Sequence, residues 1–223
     1  MFGLGKTMFG GDRRTHRQEI GGTWGGHSKR EIGLASGLVA GTMVATATGW
    51  RPVEAIAKGD LVLTFDHGMQ PVASVTRGQL WQSGENCPKS LWPLKVPEGA
   101  LGNLEDVVLL PEQLTLVESD AADSLFDDPF AMLTAADLVG YRGIHRIAPM
   151  GEIEVVQLHF ENDEVVFAAA GMLVHCATRR VLTVDELLGR HLAEDEYVSL
   201  KADAAKMLVD CLIGEDAQNA MAA

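Results

Sequence analysis

Residues 40–72 read AGTMVATATGWRPVEAIAKGDLVLTFDHGMQPV, and their pattern decides the fold. β-prone runs such as "GTMVAT" and "LVLTFD" are broken by Gly49, by Gly59-Asp60 and by Gly68. Turns recurring roughly every eight to ten residues predict short antiparallel strands, since strands of this length with regular turn signals mark all-β folds. Asp66-His67-Gly68 predicts a hairpin loop, with glycine free to take positive φ.

The same texture continues downstream. "VASVTRGQLW" (72–81) extends the sheet, 82–90 is a polar loop, and "LWPLKVP" (91–97) predicts a Pro-limited edge strand. "DVVLL" (106–110) and "LTLVES" (114–119) flank Pro111. An acidic, helix-prone insertion carries Asp120, Asp123, Asp127 and Asp128; it lacks the alternating ligand spacing of a calcium loop, so no calcium site is expected. "TAADLVG" (134–140) predicts a short helix capped by Thr134 and ended by Gly140. "IEVVQLHF" (153–160) and "EVVFAAAGMLVH" (164–175) are two more strands. Beyond Arg180 the pattern turns helical. Thr183 and Glu186 form a capping pair, and Ala204, Met207, Leu208, Cys211 and Leu212 share one face up to a stop at Gly214. The expected organisation is a flexible arm (1–33), a β domain (34–180), a helical segment packed on it (181–214) and a disordered tail (215–223).

The net charge of −13 over 223 residues hides an asymmetry. Lys6, Arg13, Arg14, Arg17, Lys29 and Arg30 outweigh Asp12 and Glu19, giving the first thirty residues +4 and leaving −17 for the remainder (+4 − 17 = −13). An acidic body does not suit nucleic acid, whose phosphates need Lys and Arg. The basic arm, with Trp24 amid glycines, is a candidate docking segment for an acidic protein surface, including another copy of the chain. Cys87, Cys176 and Cys211 are odd in number and widely spaced, without CxxC, which fits a reducing, cytoplasmic setting. The uncharged stretch 32–50 is mostly Gly, Ala and Thr, which argues against a signal peptide or membrane span. "GLGKT" (3–7) lacks the first glycine of a phosphate-binding loop, and the scattered histidines show no metal-ligand spacing, so neither cofactor nor metal is expected.

From residue 37 to about 176 the chain resembles the Hint family of Hedgehog and intein autoprocessing domains, in its bacterial branch. The resemblance rests on Gly41-Thr42, Ala45-Thr46, Gly49, Arg51-Pro52-Val53-Glu54, Gly59-Asp60, Val62, Thr64, Asp66, Gly68 and Gln70-Pro71, in order. "VPEGALGN" (96–103), "RGIHRI" (142–147) and "LHFENDEVVFAAAG" (158–171) also look like segments of that branch. It implies a mainly β, pseudo-twofold horseshoe that attacks its own backbone. In that family a first-position Cys or Ser attacks the preceding carbonyl, a histidine turn protonates the departing nitrogen, and a terminal His-Asn releases the downstream segment.

Position by position, this sequence departs from those requirements. The nucleophile falls at Gly37, with Ser36 one place out of register. The histidine turn falls at Leu110-Pro111-Glu112-Gln113, putting leucine at the hydroxyl position and glutamine at the histidine. A later histidine falls at Asp163 or Val165, and His175 runs into Cys176 with no asparagine between. Glutamine has no proton to give near neutral pH. The expectation is therefore an inactive Hint domain serving as a scaffold or a module that binds protein partners. Glu54, Asp60 and Asp66 are then turn formers, and His67, His145 and His159 half-exposed residues. The alternative is self-processing by an N–O or N–S acyl shift at Ser36 or at Cys176 activated by His175. Against it, neighbouring strand residues point to opposite faces.

Overall fold

Fourteen strands form two antiparallel sheets in a computed structural model that describes residues 34–81, 87–178 and 197–222. The arm residues Arg13, Arg14, Arg17, Trp24, Lys29 and Arg30, and the Thr183–Glu186 pair, lie outside the described residues. The first sheet runs β11 (His145–Arg146), β7 (Leu94–Val96), β8 (Val107–Leu109), β1 (Leu38–Val39), β12 (Glu154–His159) and β6 (Ser74–Gln79). The second runs β10 (Phe130–Thr134), β9 (Leu114–Glu118), β14 (Met172–Cys176), β13 (Glu164–Ala168), β2 (Met43–Thr46), β4 (Leu61–Thr64) and β5 (Gly68–Pro71), with β3 (Gly49–Pro52) paired to β2. The mainly β expectation holds, and the β2–β3 and β4–β5 hairpins follow the turn residues that announced them.

Alternation along these strands builds the core. Val62 and Thr64 of β4 are buried while Leu61 is exposed, and Val166 and Val174 of β13 and β14 point inward to meet Val44 and Leu158. A smaller cluster, Leu80, Leu110 and Val155, underpins the first sheet beside β1. No helix among the described residues is long and apolar enough to cross a membrane.

Four local expectations are corrected. Strand β7 is not an edge, because β11 pairs with it on the side away from β8. Residues 135–140, following the last residue of β10, form turns rather than a helix. The Thr134 and Asp137 side chains bond each other and each other's backbone N–H, but the segment is too short to propagate past a costly nucleus. Residues 164–175 are a hairpin, not one strand, turning at Ala169 and Ala170 with φ of 45° and 67°. The turn closes at Gly171, where a Cβ would stand 2.2 Å from the Gly102 carbonyl oxygen, so two of the family-like segments meet at a contact only glycine permits.

The last correction concerns the C-terminus. Helix α2 (Ala202–Ala222) continues through Gly214 into the residues expected to be a disordered tail. Ala205, Leu208, Val209 and Leu212 bury one face, and α1 (Asp120–Phe126) packs nearby. Past Gly214, the Arg142 guanidinium grips the Asp216 carboxylate with two bonds of 2.6 and 2.7 Å. That tether holds the turn just past the glycine, although a pair this exposed contributes only part of the ~1 kcal/mol a helical glycine costs. Met207 and Cys211, assigned to the buried stripe from sequence, face outward instead.

Candidate functional site

Strand β1 lies between β8 and β12, with Leu38 opposite Leu109 and Val156. This pairing carries the two preceding residues into a cleft of about 160 Å³ lined by Ser36, Gly37, Gln113, Gln157, His159 and Ala177, among others. The chain enters strand β1 and leaves strand β14 at this one place.

Gly37 has φ +124°, a conformation side-chain-bearing residues rarely adopt, and a Cβ there would sit 2.7 Å from Val155 Cγ1 and 2.9 Å from Gln157 Cγ. The peptide bond between Ser36 and Gly37 is held at both ends. The Gly37 N–H donates to Gln113 Oε1 at 2.8 Å, and Gln157 Nε2 donates to the Ser36 carbonyl at 3.0 Å. Gln113 is 3% exposed and fully engaged, for its Nε2 also donates to the carbonyls of Leu114 and His175 at 2.9 and 2.8 Å. Those two carbonyls dictate which end of the amide is nitrogen, so an oxygen faces the Gly37 nitrogen.

The remaining candidates are scattered by the fold. Leu110 is fully buried in the smaller apolar cluster, not at the cleft surface. Asp163 accepts from the Thr178 N–H at 2.7 Å, and Val165 is core. His175 and Cys176 alternate along β14. Cys176 joins the core, where burial first and the Glu164 charge second push its thiol up to about 12. The His175 imidazole packs against Tyr197 at 5.5 Å, with Asp163 3.9 Å from its Nε2. That nitrogen is buried without a hydrogen-bond partner among the described residues, and burial lowers the imidazole's pKa despite the opposing pull of Asp163. His159 donates from Nδ1 to the Ala177 carbonyl at 3.1 Å, which leaves Nε2 to meet Thr76 Oγ1 at 3.0 Å. Ser36 Oγ lies 3.5 Å from Gln157 Nε2, and the Ala35 carbonyl accepts the Glu112 N–H at 3.2 Å.

The turn formers behave as their chemistry suggests. Asp60 accepts the Ala57 N–H and pairs with Arg51, which together hold its carboxyl below the usual range. Glu54 accepts the Gly41 N–H, Asp66 accepts from the Tyr197 hydroxyl, and His67 pairs with Glu164 at 3.1 Å. His145 bonds the Gly143 carbonyl. Among the described residues no group of three or more His, Cys, Asp or Glu side chains is placed to hold a metal ion.

Sequence reasoning missed Gln157 and its grip on the Ser36 carbonyl. The available signal was a lone amide inside the apolar run Val155–Leu158, but its partner is 121 positions away. Chemically, the cleft offers a carbonyl polarised by an amide donor, as an oxyanion site would. It places an acceptor, not an acid, on the nitrogen that would depart.

The Hint domain family model matches residues 36–177, a span that begins and ends on cleft-lining residues. Among solved structures, a bacterial intein-like domain from Clostridium thermocellum is similar at 19% identity and a TM-score of 0.45, covering 63% of this chain and 98% of that one. The gp41-1 intein is similar at 16% identity and a TM-score of 0.41, covering 63% of this chain and 98% of that one. The MchDnaB-1 intein (N145AA) is also similar, at 16% and 0.41, with 63% and 99% covered. No curated protein matches the chain in sequence. With its model matched over more than half of the sequence, from Ser36 to Ala177, the chain belongs to the Hint domain family.

Proposed function

We propose that this Hint domain is catalytically inactive and serves as a structural scaffold or protein-interaction module. The observation that carries the reading is Gly37: the position that resembles the family's nucleophile has no side chain, and its backbone leaves no room for one. Gln113 compounds the loss, because it accepts from the Gly37 N–H and supplies no proton to that nitrogen. The buried Cys176 thiol, pushed up to about 12, is a poor nucleophile near neutral pH.

Support for a protein partner comes from the β3–β2–β4–β5 end of the second sheet. Pairing of Ala45 with Trp50, Thr46 with Val62, Leu61 with Pro71 and Leu63 with Met69 puts Trp50, Leu61 and Met69 on one face, each more than 40% exposed. Partners are proposed to be proteins, including further copies of the chain.

A second reading keeps residual self-processing at Ser36, favoured by the Glu112 N–H on the Ala35 carbonyl that Ser36 Oγ would attack. Intact mass spectrometry separates the two. Scaffold function predicts one species near 24.0 kDa after prolonged incubation with thiol. Fragments broken beside residue 36 or 176, and abolished by Ser36→Ala or Cys176→Ala, would establish processing instead. Native mass with Trp50→Glu and with residues 1–30 deleted tests assembly. A mass unchanged in both variants and equal to the monomer excludes self-association.

A further inference from the structure

We infer that the vacated cleft works as a staple between the incoming and outgoing chain segments, with the Gln113 carboxamide as its positioning group. The inference rests on the reading that no acyl shift occurs there. One side chain bridges two strands that have no direct pairing. Its oxygen takes the Gly37 N–H ahead of β1, and its nitrogen gives to the His175 carbonyl on β14. The two β-sheets meet at that bridge, since β1 belongs to the first and β14 to the second.

Three further links reinforce it. Gln157 holds the Ser36 carbonyl and His159 the Ala177 carbonyl, both from β12, so neighbouring side chains of one strand grip the entry and the exit. Asp163 fixes the Thr178 N–H immediately beyond. Each is an uncharged or singly charged hydrogen bond to backbone, suited to holding a chain rather than breaking it. Gln113 is buried with both ends of its amide matched, so loss of the amide leaves a part-buried N–H and a part-buried carbonyl unsatisfied on opposite sides. Entry and exit should therefore loosen together. Positions that resemble catalytic ones thus fix where the chain enters β1 and where it leaves β14.

Amide hydrogen exchange followed by NMR tests this on the full chain. In Gln113→Leu, exchange at Gly37 and at Thr178 should both accelerate by roughly 10- to 100-fold, while the Phe65 amide, bonded to the Val165 carbonyl, keeps its protection. Faster exchange at Gly37 alone, or at all three in step, overturns the staple. A second measurement needs no variant. In the wild-type chain under increasing mild denaturant, Gly37 and Thr178 should exchange through one shared opening, with the same denaturant dependence and below global unfolding. Two separate openings refute the coupling even where Gln113→Leu fails to fold. Chain fragments in the same samples would instead overturn the inactivity reading and leave the exchange result to stand on its own.

Discussion

Gly37→Cys restores the residue type that the family resemblance places at this position, and it should damage the protein without reviving it. Two costs combine. Holding a side-chain-bearing residue at φ +124° costs on the order of 1–3 kcal/mol. The new Cβ would also stand 2.7 Å from Val155 Cγ1, a stiff β-branched side chain that is fully buried, and 2.9 Å from Gln157 Cγ. Relieving that overlap costs about 1–3 kcal/mol more. The sum, roughly 2–6 kcal/mol, is a large part of the 5–15 kcal/mol typical of folded domains. At about 2–4 °C per kcal/mol for a chain of this size, the melting temperature should fall by something on the order of 5–20 °C. Moving Gln157 aside would also remove its bond to the Ser36 carbonyl, the oxygen that needs stabilising in an acyl shift. Thermal unfolding and intact mass are read on the same sample. Val155→Ala should recover part of the loss in the double variant, because it deletes the atom that clashes. A Gly37→Cys protein that melts like wild type and yields thiol-dependent fragments beside residue 37 would refute the reasoning.

Three other expectations follow from buried groups and glycines. His175 has a lowered pKa in the fold, so the unfolded chain takes up the proton first; its contribution to stability is full above about pH 6.5 and is lost as pH falls toward the folded value. Urea unfolding at pH 7.5 and 5.5 should show wild type losing up to about 1.4 kcal/mol more than His175→Phe, and equal losses would contradict the burial argument. Iodoacetamide at pH 8 should label the exposed Cys211 while the buried Cys176 stays unmodified until denaturant is added. Equal labelling rates would mean that β14 opens readily. Gly171→Ala should cost on the order of 3 kcal/mol by driving Cβ onto the Gly102 carbonyl. Gly214→Ala, with open space around its Cβ inside a helix, should stabilise by up to ~1 kcal/mol, and the reverse ranking in a urea titration would overturn both placements.

Local chemistry was the legible part of this chain. Gly49, Gly59 and Gly68 announce turns whichever strands pair across the sheet, and the register from Gly41 back to Gly37 puts glycine where the resemblance expects a nucleophile. What stayed hidden depends on distant partners. Gln157 becomes meaningful only once β12 is laid beside β1, and Gln113 only once β14 ends across the cleft from Gly37. Ala169 and Ala170 carry no turn signature, so a hairpin was read as one strand; their positive φ is sustained by the Ala169 N–H on the Met43 carbonyl and the Leu104 N–H on the Ala169 carbonyl. Gly214 misled for the same reason, since the Arg142 grip that carries α2 past it comes from 74 positions away.

Neutral hydroxylamine gives the most direct test of inactivity, because it cleaves esters and thioesters and spares amides. An acyl shift at Ser36 or at Cys176 would leave a linkage that it traps. The account predicts that the chain stays whole after long exposure, with no hydroxamate-ended fragment closing at Ala35 or His175. One such fragment, growing with time in the native protein and absent from denatured protein, would contradict it.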